Sequence, residues 1–232
     1  MKVISHLLSL CGLLAPFGVA AQNDMTASPY SMFGIGEIVS GLSGVNAAMG
    51  GVSIAMRDAK LINADNPAGL TAIDTCSLLA EVSAFAKWES YKSRGGHTVF
   101  TGNFSGFSLA GRIVPRWYMA AGLTPYSSVG YYFQSTQELE GSPGSYYTST
   151  FSGSGGLSEF FVSNAFRILP SLSVGANVSF IWGSMTEEEE QSSMTTAEEM
   201  NGHTFSADFG VQYTHRFSRD LSLTAGAVVG RP

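Results

Sequence analysis

From Ser77 onward, apolar and polar positions alternate with a period of two. Leu78, Ala80, Val82, Ala84, Ala86 and Trp88 fall on one side, with Ser77, Glu81, Ser83, Lys87 and Glu89 on the other. The pattern returns along the chain. Between Phe100 and Val114, Phe107, Leu109, Gly111 and Ile113 alternate with Ser108 and Arg112. Trp117, Met119, Ala121 and Leu123 follow, then Phe160, Val162, Phe166 and Ile168 against Glu159, Ser163 and Arg167. Leu172, Val174, Ala176, Val178, Phe180 and Trp182 alternate with Ser173, Gly175, Asn177 and Ser179. Phe205, Ala207, Phe209, Val211, Tyr213 and Phe217 oppose Ser206, Asp208, Gln212 and Arg216, and Leu221, Leu223, Ala225, Ala227 and Val229 begin a last segment. A period of two predicts strands, each with one apolar and one polar face. Several segments are far longer than the average globular strand of about 5–6 residues. A tilted strand that crosses a bilayer needs about 9–11.

The connections fall into two classes. Pro115-Arg116, Leu169-Pro170-Ser171 and Ser218-Arg219-Asp220 read as tight turns. Lys92 to Thr98, Val129 to Gly156 and the acidic Thr186 to Gly202 read as long links. Short and long alternate, as in an up-and-down outer-membrane β-barrel with short turns at one end and long loops at the other. Trp88, Trp117 and Trp182 all lie on an apolar register near a strand end, where barrels place aromatic girdles. The apolar registers carry no Asp, Glu, Lys or Arg. A Lys or Arg there at mid-membrane costs about 2–4 kcal/mol. The expected fold is therefore all-β, an antiparallel transmembrane barrel of which about seven strands are present. A secreted β-sandwich also explains the alternation, because its apolar faces would meet each other. It does not explain the strand lengths, the two loop classes or the tryptophans.

Ahead of the strands, residues 22–75 do not alternate and are rich in glycine and alanine, including Gly34, Gly36, Gly41, Gly44, Gly50 and Gly51. Small residues permit close packing in a confined space, which suits a hatch folded into a barrel lumen. Here Ala48-Met49-Gly50-Gly51-Val52, followed by Asn66-Pro67-Ala68-Gly69-Leu70, resembles the FadL/TodX family of outer-membrane channels for hydrophobic compounds. The opening Ser28-Pro29-Tyr30-Ser31-Met32-Phe33-Gly34 is similar to a divergent branch of outer-membrane proteins with that fold. The resemblance implies a 14-stranded barrel plugged by its hatch, and passive uptake of fatty acids or other apolar molecules. It makes Gly50, Gly51, Asn66, Pro67, Ala68 and Gly69 the hatch residues of interest. The departure is in strand number, about half of what the family needs. The chain ends at Pro232 without the terminal aromatic residue that barrel-assembly machinery reads, so a truncated member is expected. A closed eight-stranded barrel is the alternative.

Composition narrows the picture. Only 13% of the 232 residues are charged and the net charge is -6, with no basic cluster, which excludes nucleic acid as a partner. Met1 to Ala21 has the layout of a secretory signal peptide: a basic start, an apolar stretch with Leu7, Leu8, Leu10, Leu13 and Leu14, and small residues at 19–21. The expected organisation is thus a signal peptide over 1–21, a hatch over 22–75 and barrel strands over 76–232, at the outer membrane of a Gram-negative cell. Expected partners are outer-membrane lipid, a hydrophobic small molecule and the barrel-assembly machinery. Without the signal, which contains Cys11, Cys76 is a lone cysteine, so no disulfide framework forms.

No catalytic chemistry emerges. His97, His203 and His215 share no metal-ligand spacing with one another or with Cys76, so no metal or cofactor is implied. Glu187 to Glu190 with Glu198 and Glu199 read as a solvated acidic loop. Glu81, Lys87, Arg112, Glu159, Arg167, Asp208 and Arg216 sit on polar registers and would face the lumen. They are expected to pair with one another and with Glu37, Arg57, Asp58 and Lys60 of the hatch, since buried charges need partners. Two functions fit: a passive channel for hydrophobic molecules, or an interaction component of the same fold, like PorV-type secretion proteins, that transports nothing. No enzyme is expected.

Overall fold

Strand-forming residues and tight turns build one antiparallel ladder in the computed structural model. It describes residues 25–39, 44–74, 78–91, 97–138, 141, 144–191, 194–218 and 221–231. The segment read as a signal peptide lies outside the described residues, as does Cys76. A two-residue strand β1 (Glu37–Ile38) precedes seven long ones: β2 (Leu78–Tyr91), β3 (His97–Val114), β4 (Trp117–Glu138), β5 (Tyr146–Arg167), β6 (Leu172–Gln191), β7 (Met194–Arg216) and β8 (Ser222–Arg231). The long strands pair in chain order, β2 to β8, and β1 pairs with β4. The sheet curls into a half-barrel with almost no helix. Among the described residues β2 and β8 are not paired with each other.

Burial alternates without a break on β2, and its sense separates a barrel from a sandwich. On β2 the apolar positions are the exposed ones, with Val82 at 70% and Trp88 at 74%, while Glu81, Ser83, Lys87 and Glu89 are half-buried. The outer face of every long strand follows suit, through Phe107, Leu123, Phe166, Val178, Phe209 and Val229. A sandwich would turn this face inward. Here the polar register faces the concave side. Pairing aligns the outer apolar residues in rows: Trp117, Phe166, Val174, Val211 and Ala227 on one, Leu123, Phe160, Phe180 and Phe205 on another. On β6 this belt runs from Leu172 to Trp182. Eleven residues at about 3.3 Å each, tilted by about 40°, give a band about 25 Å tall, the apolar height of an outer-membrane barrel.

Two of the expected long links are strand instead. β4 continues to Glu138 and β5 begins at Tyr146, so most of the stretch from Val129 to Gly156 is ladder, with pairs such as Ser135↔Ser149. The acidic Thr186 to Gly202 stretch pairs from Thr186↔Glu199 to Gln191↔Met194. Beyond the belt the outer face of these strands turns polar, so the apolar-polar period of two fades, although Tyr131, Phe133, Phe151 and Met185 still gather in a second inner cluster. Threonine, serine and tyrosine still suit a pleated strand, and the ladder hydrogen bonds carry it. Of the third link, Thr98 belongs to β3, while 92–96 lie outside the described residues. The tight turns stand as read where they are described. Arg116 takes φ 75 between β3 and β4, and Ile168 N–H donates to Leu172 C=O at 3.0 Å between β5 and β6.

The described residues between 25 and 74 form short pieces, a 3-10 turn (Pro29–Met32), β1, a helix α1 (Gly44–Ala48) and a 3-10 helix (Pro67–Ala72), of which the two 3-10 segments and β1 lie against the strands. Their apolar side chains make the inner core. Ile62, Leu70 and Ile73 pack with Ala110, Tyr118, Ala120, Phe161 and Ala165 of the wall. Among the described residues no helix is long and apolar enough to cross a membrane.

Candidate functional site: the seat of the hatch

The Asn66-Pro67-Ala68-Gly69 stretch starts the second 3-10 helix for local reasons. Pro67 at its first turn has no N–H to leave unmet, and Asn66 caps it by accepting from Ala68 N–H at 3.1 Å. The whole turn is buried, with Asn66, Ala68, Leu70 and Thr71 at 0% exposure. The Asn66 amide also donates to Ile54 C=O at 2.7 Å and to Val211 C=O of β7 at 3.4 Å. Asn63 supports it from within the hatch, accepting from Asn66 N–H at 3.2 Å and donating to Ser53 C=O at 2.7 Å.

The wall beneath is made of glycine. Gly175 on β6 pairs with Gly210 on β7, and Gly226 on β8 pairs with Gln212 of β7. A Cβ on Gly175 would lie 2.7 Å from Ala68 N, one on Gly210 would overlap Asn66 Oδ1, and one on Gly226 would overlap Ile54 C=O. Three adjacent strands thus omit side chains where the hatch presses on them, β6 and β7 under the turn and β8 under Ile54 and Ala55. These glycines escape the sequence reading because their grouping depends on register, which alternation alone does not fix.

Polar side chains ring this floor. The fully buried Gln212 donates to Ile54 C=O at 2.9 Å and to Met56 C=O at 3.1 Å. Arg57 donates to Thr71 Oγ1 at 2.9 Å, Ser173 Oγ at 3.3 Å and Gln212 Oε1 at 3.4 Å. Thr71 and Ser173 hydroxyls stand 2.6 Å apart. Arg167 donates to Thr71 C=O, and its guanidinium sits 5.5 Å over the Tyr118 ring. Burial, and then the charge of Arg167, draw the Arg57 guanidinium below its ordinary pKa, while Tyr118 opposes them.

The other charges read from the sequence are dispersed. Lys87 pairs with Glu37 of the hatch at 3.6 Å and with Glu89 at 3.1 Å. Glu159 and Asp208 share a pocket of about 580 Å³ with Asp65. Glu81 and Arg112 are half-buried on β2 and β3, and Arg216 is exposed at the end of β7. Lys87–Glu37 joins hatch and wall as an ion pair, whereas in the seat the guanidinium groups of Arg57 and Arg167 donate to hydroxyl, amide and carbonyl oxygens. Asp58 turns back to accept from Lys60 N–H at 2.7 Å. Gly50 and Gly51, with φ 76 and 84, close the exposed end of α1 and are not in the seat.

The tryptophans are all on the outer face. Trp88 meets Phe100 at 4.9 Å, Trp117 stacks on Phe166 at 5.8 Å and donates to Asn164, and Trp182 stacks on Phe180 at 5.4 Å. Trp182 is within β6 rather than at its end, because β6 continues to Gln191. His215 packs edge-on against Phe217 at 4.5 Å. Among the described residues no group of three or more His, Cys, Asp or Glu could hold a metal ion.

No curated protein and no solved structure matches the chain. The FadL/TodX resemblance remains one of short motifs. The BamG family model matches residues 3–231, nearly the whole length, and the chain belongs to the BamG family.

Proposed function

We propose that this chain is an outer-membrane component that works with the barrel-assembly machinery and does not carry fatty acids. The family membership over residues 3–231 supports this, through the assembly role its name denotes. The keyed seat supports the second half. A hatch that gates transport has to move, whereas this one is fitted to Gly175, Gly210 and Gly226 and tied by Asn66, Arg57, Thr71 and Gln212. Releasing it would strand several buried donors and acceptors at once, at about 1–3 kcal/mol each. The lipid-facing belt provides the anchorage such a component needs.

Depleting the protein in its host tests the proposal. Folded outer-membrane barrels, scored by heat-modifiable migration, should fall in amount, and the purified protein in liposomes should not speed uptake of labelled oleate. Normal barrels together with faster oleate uptake into the liposomes would favour the passive channel instead.

A further inference from the structure

β3 and β4 share a ladder only between Phe107–Val114 and Trp117–Leu123. Above that level β3 stays with β2 as far as His97, and β4 stays with β5 as far as Glu138. No register joins the upper halves of β3 and β4 among the described residues. The parting is built into both strands. β3 carries a bulge at Ser105, and β4 carries one at Tyr126, next to Pro125, which has no N–H. Each bulge bends its strand at the level where the two separate.

The foot of the resulting seam is already filled by strand addition. β1 pairs with β4 at Ser127 and Ser128, and Val39 N–H donates to Tyr126 C=O at 2.9 Å. Gly36, at φ 84, lets the hatch come this close, because a Cβ there would lie 2.7 Å from Val129 Cγ2. One step up, Gly130 N–H donates to Ser31 Oγ at 3.1 Å. The even-numbered backbone groups of β4 therefore point into the seam. Above Gly130 the next ones belong to Tyr132, Gln134 and Thr136, and among the described residues no strand pairs with them there. A cleft of about 600 Å³ opens at this place, with Pro29 behind it, Val99 and Phe100 on one side and Tyr131 and Tyr132 on the other.

We infer that the seam between β3 and β4 takes up an extended polypeptide segment, which adds to the free edge of β4 and continues the ladder that β1 begins. The free edge from Tyr132 to Glu138 offers about 23 Å, at about 3.3 Å per residue. It presents N–H and C=O groups at every second residue, which an incoming strand satisfies and an acyl chain does not. The exposed rings of Tyr132 and Phe100 give alternate side chains of that strand apolar ground. The seam is a property of the wall and is independent of any role in barrel assembly.

The test uses the purified full-length chain in detergent and a fluorescent peptide with the sequence from Leu172 to Trp182, an alternating strand. Binding should saturate. N-methylating alternate amides along one edge of the peptide should weaken it tenfold or more, as should Gln134→Pro or Thr136→Pro, which remove seam-facing N–H groups. Hydrogen exchange on the unaltered protein covers the case in which a proline variant does not fold. Peptide should slow the amides of Tyr132, Gln134 and Thr136 tenfold or more and leave those of Trp117 to Leu123 unchanged. Non-saturating binding, equal binding of the methylated peptide, or displacement by oleate without slowed amides would overturn the inference and mark the seam as a lipid-facing cleft.

Discussion

Asn66 performs three tasks with one amide. It caps the turn that follows it, holds Ile54 C=O inside the hatch, and reaches Val211 C=O on the wall. Replacing it with alanine keeps the turn residues but strands a buried carbonyl and removes a cap, so Asn66→Ala should cost about 1–3 kcal/mol in thermal or denaturant unfolding. Gly210→Ala attacks the same contact from the other side by driving a methyl group into Asn66 Oδ1, and should lower stability by about 1–3 kcal/mol. The two substitutions disturb one contact, so their double mutant should lose less than the sum. Glu37→Gln should shift stability by less than about 1 kcal/mol, because the Lys87 pair is partly exposed. At this scale the sequence displays half of the site. Asn-Pro-Ala-Gly is legible as a turn from its own chemistry. Its seat is not, because Gly175, Gly210 and Gly226 come together only through the register of three strands.

Elements show the same division. The lower halves of the strands are legible because one face is an exposed apolar belt and the other meets the hatch, so hydrophobicity swings at every step. A charge on the lipid side should be costly: Val178→Lys should lose about 2–4 kcal/mol of folding stability in a bilayer. Above the belt the outer face of β4 to β7 turns polar, so the swing fades there, which is why these halves read as loops. Their geometry has an energetic consequence. Glu187 and Glu198 stand directly opposite each other on β6 and β7. Like charges at facing positions repel, so Glu198→Lys should stabilise the hairpin by about 0.2–1 kcal/mol, most visibly in low salt. Slower amide exchange between Thr186 and Glu199 would register that gain.

For the molecule as a whole, the sense of burial matters more than the alternation that produces it. Alternation is common to sandwiches and barrels. Only the structure places the apolar register outside and the polar one against the hatch, and the exposed belt of Phe, Val, Leu and Trp then calls for lipid. Function was less legible than fold. The short hatch motifs suggest a channel for hydrophobic molecules, while the family match, which draws on the entire chain, is to BamG. A four-residue turn reports how a hatch is capped and seated, and that problem is shared by any barrel that contains one.

The most direct measurement is to tag this chain in its host, extract the outer membrane under mild detergent, and purify the tagged protein with its native neighbours. The barrel-assembly machinery should be recovered with it in a fixed ratio, and should remain when oleate is added in excess. Recovery of the chain free of that machinery, with radiolabelled oleate bound instead, would contradict the account.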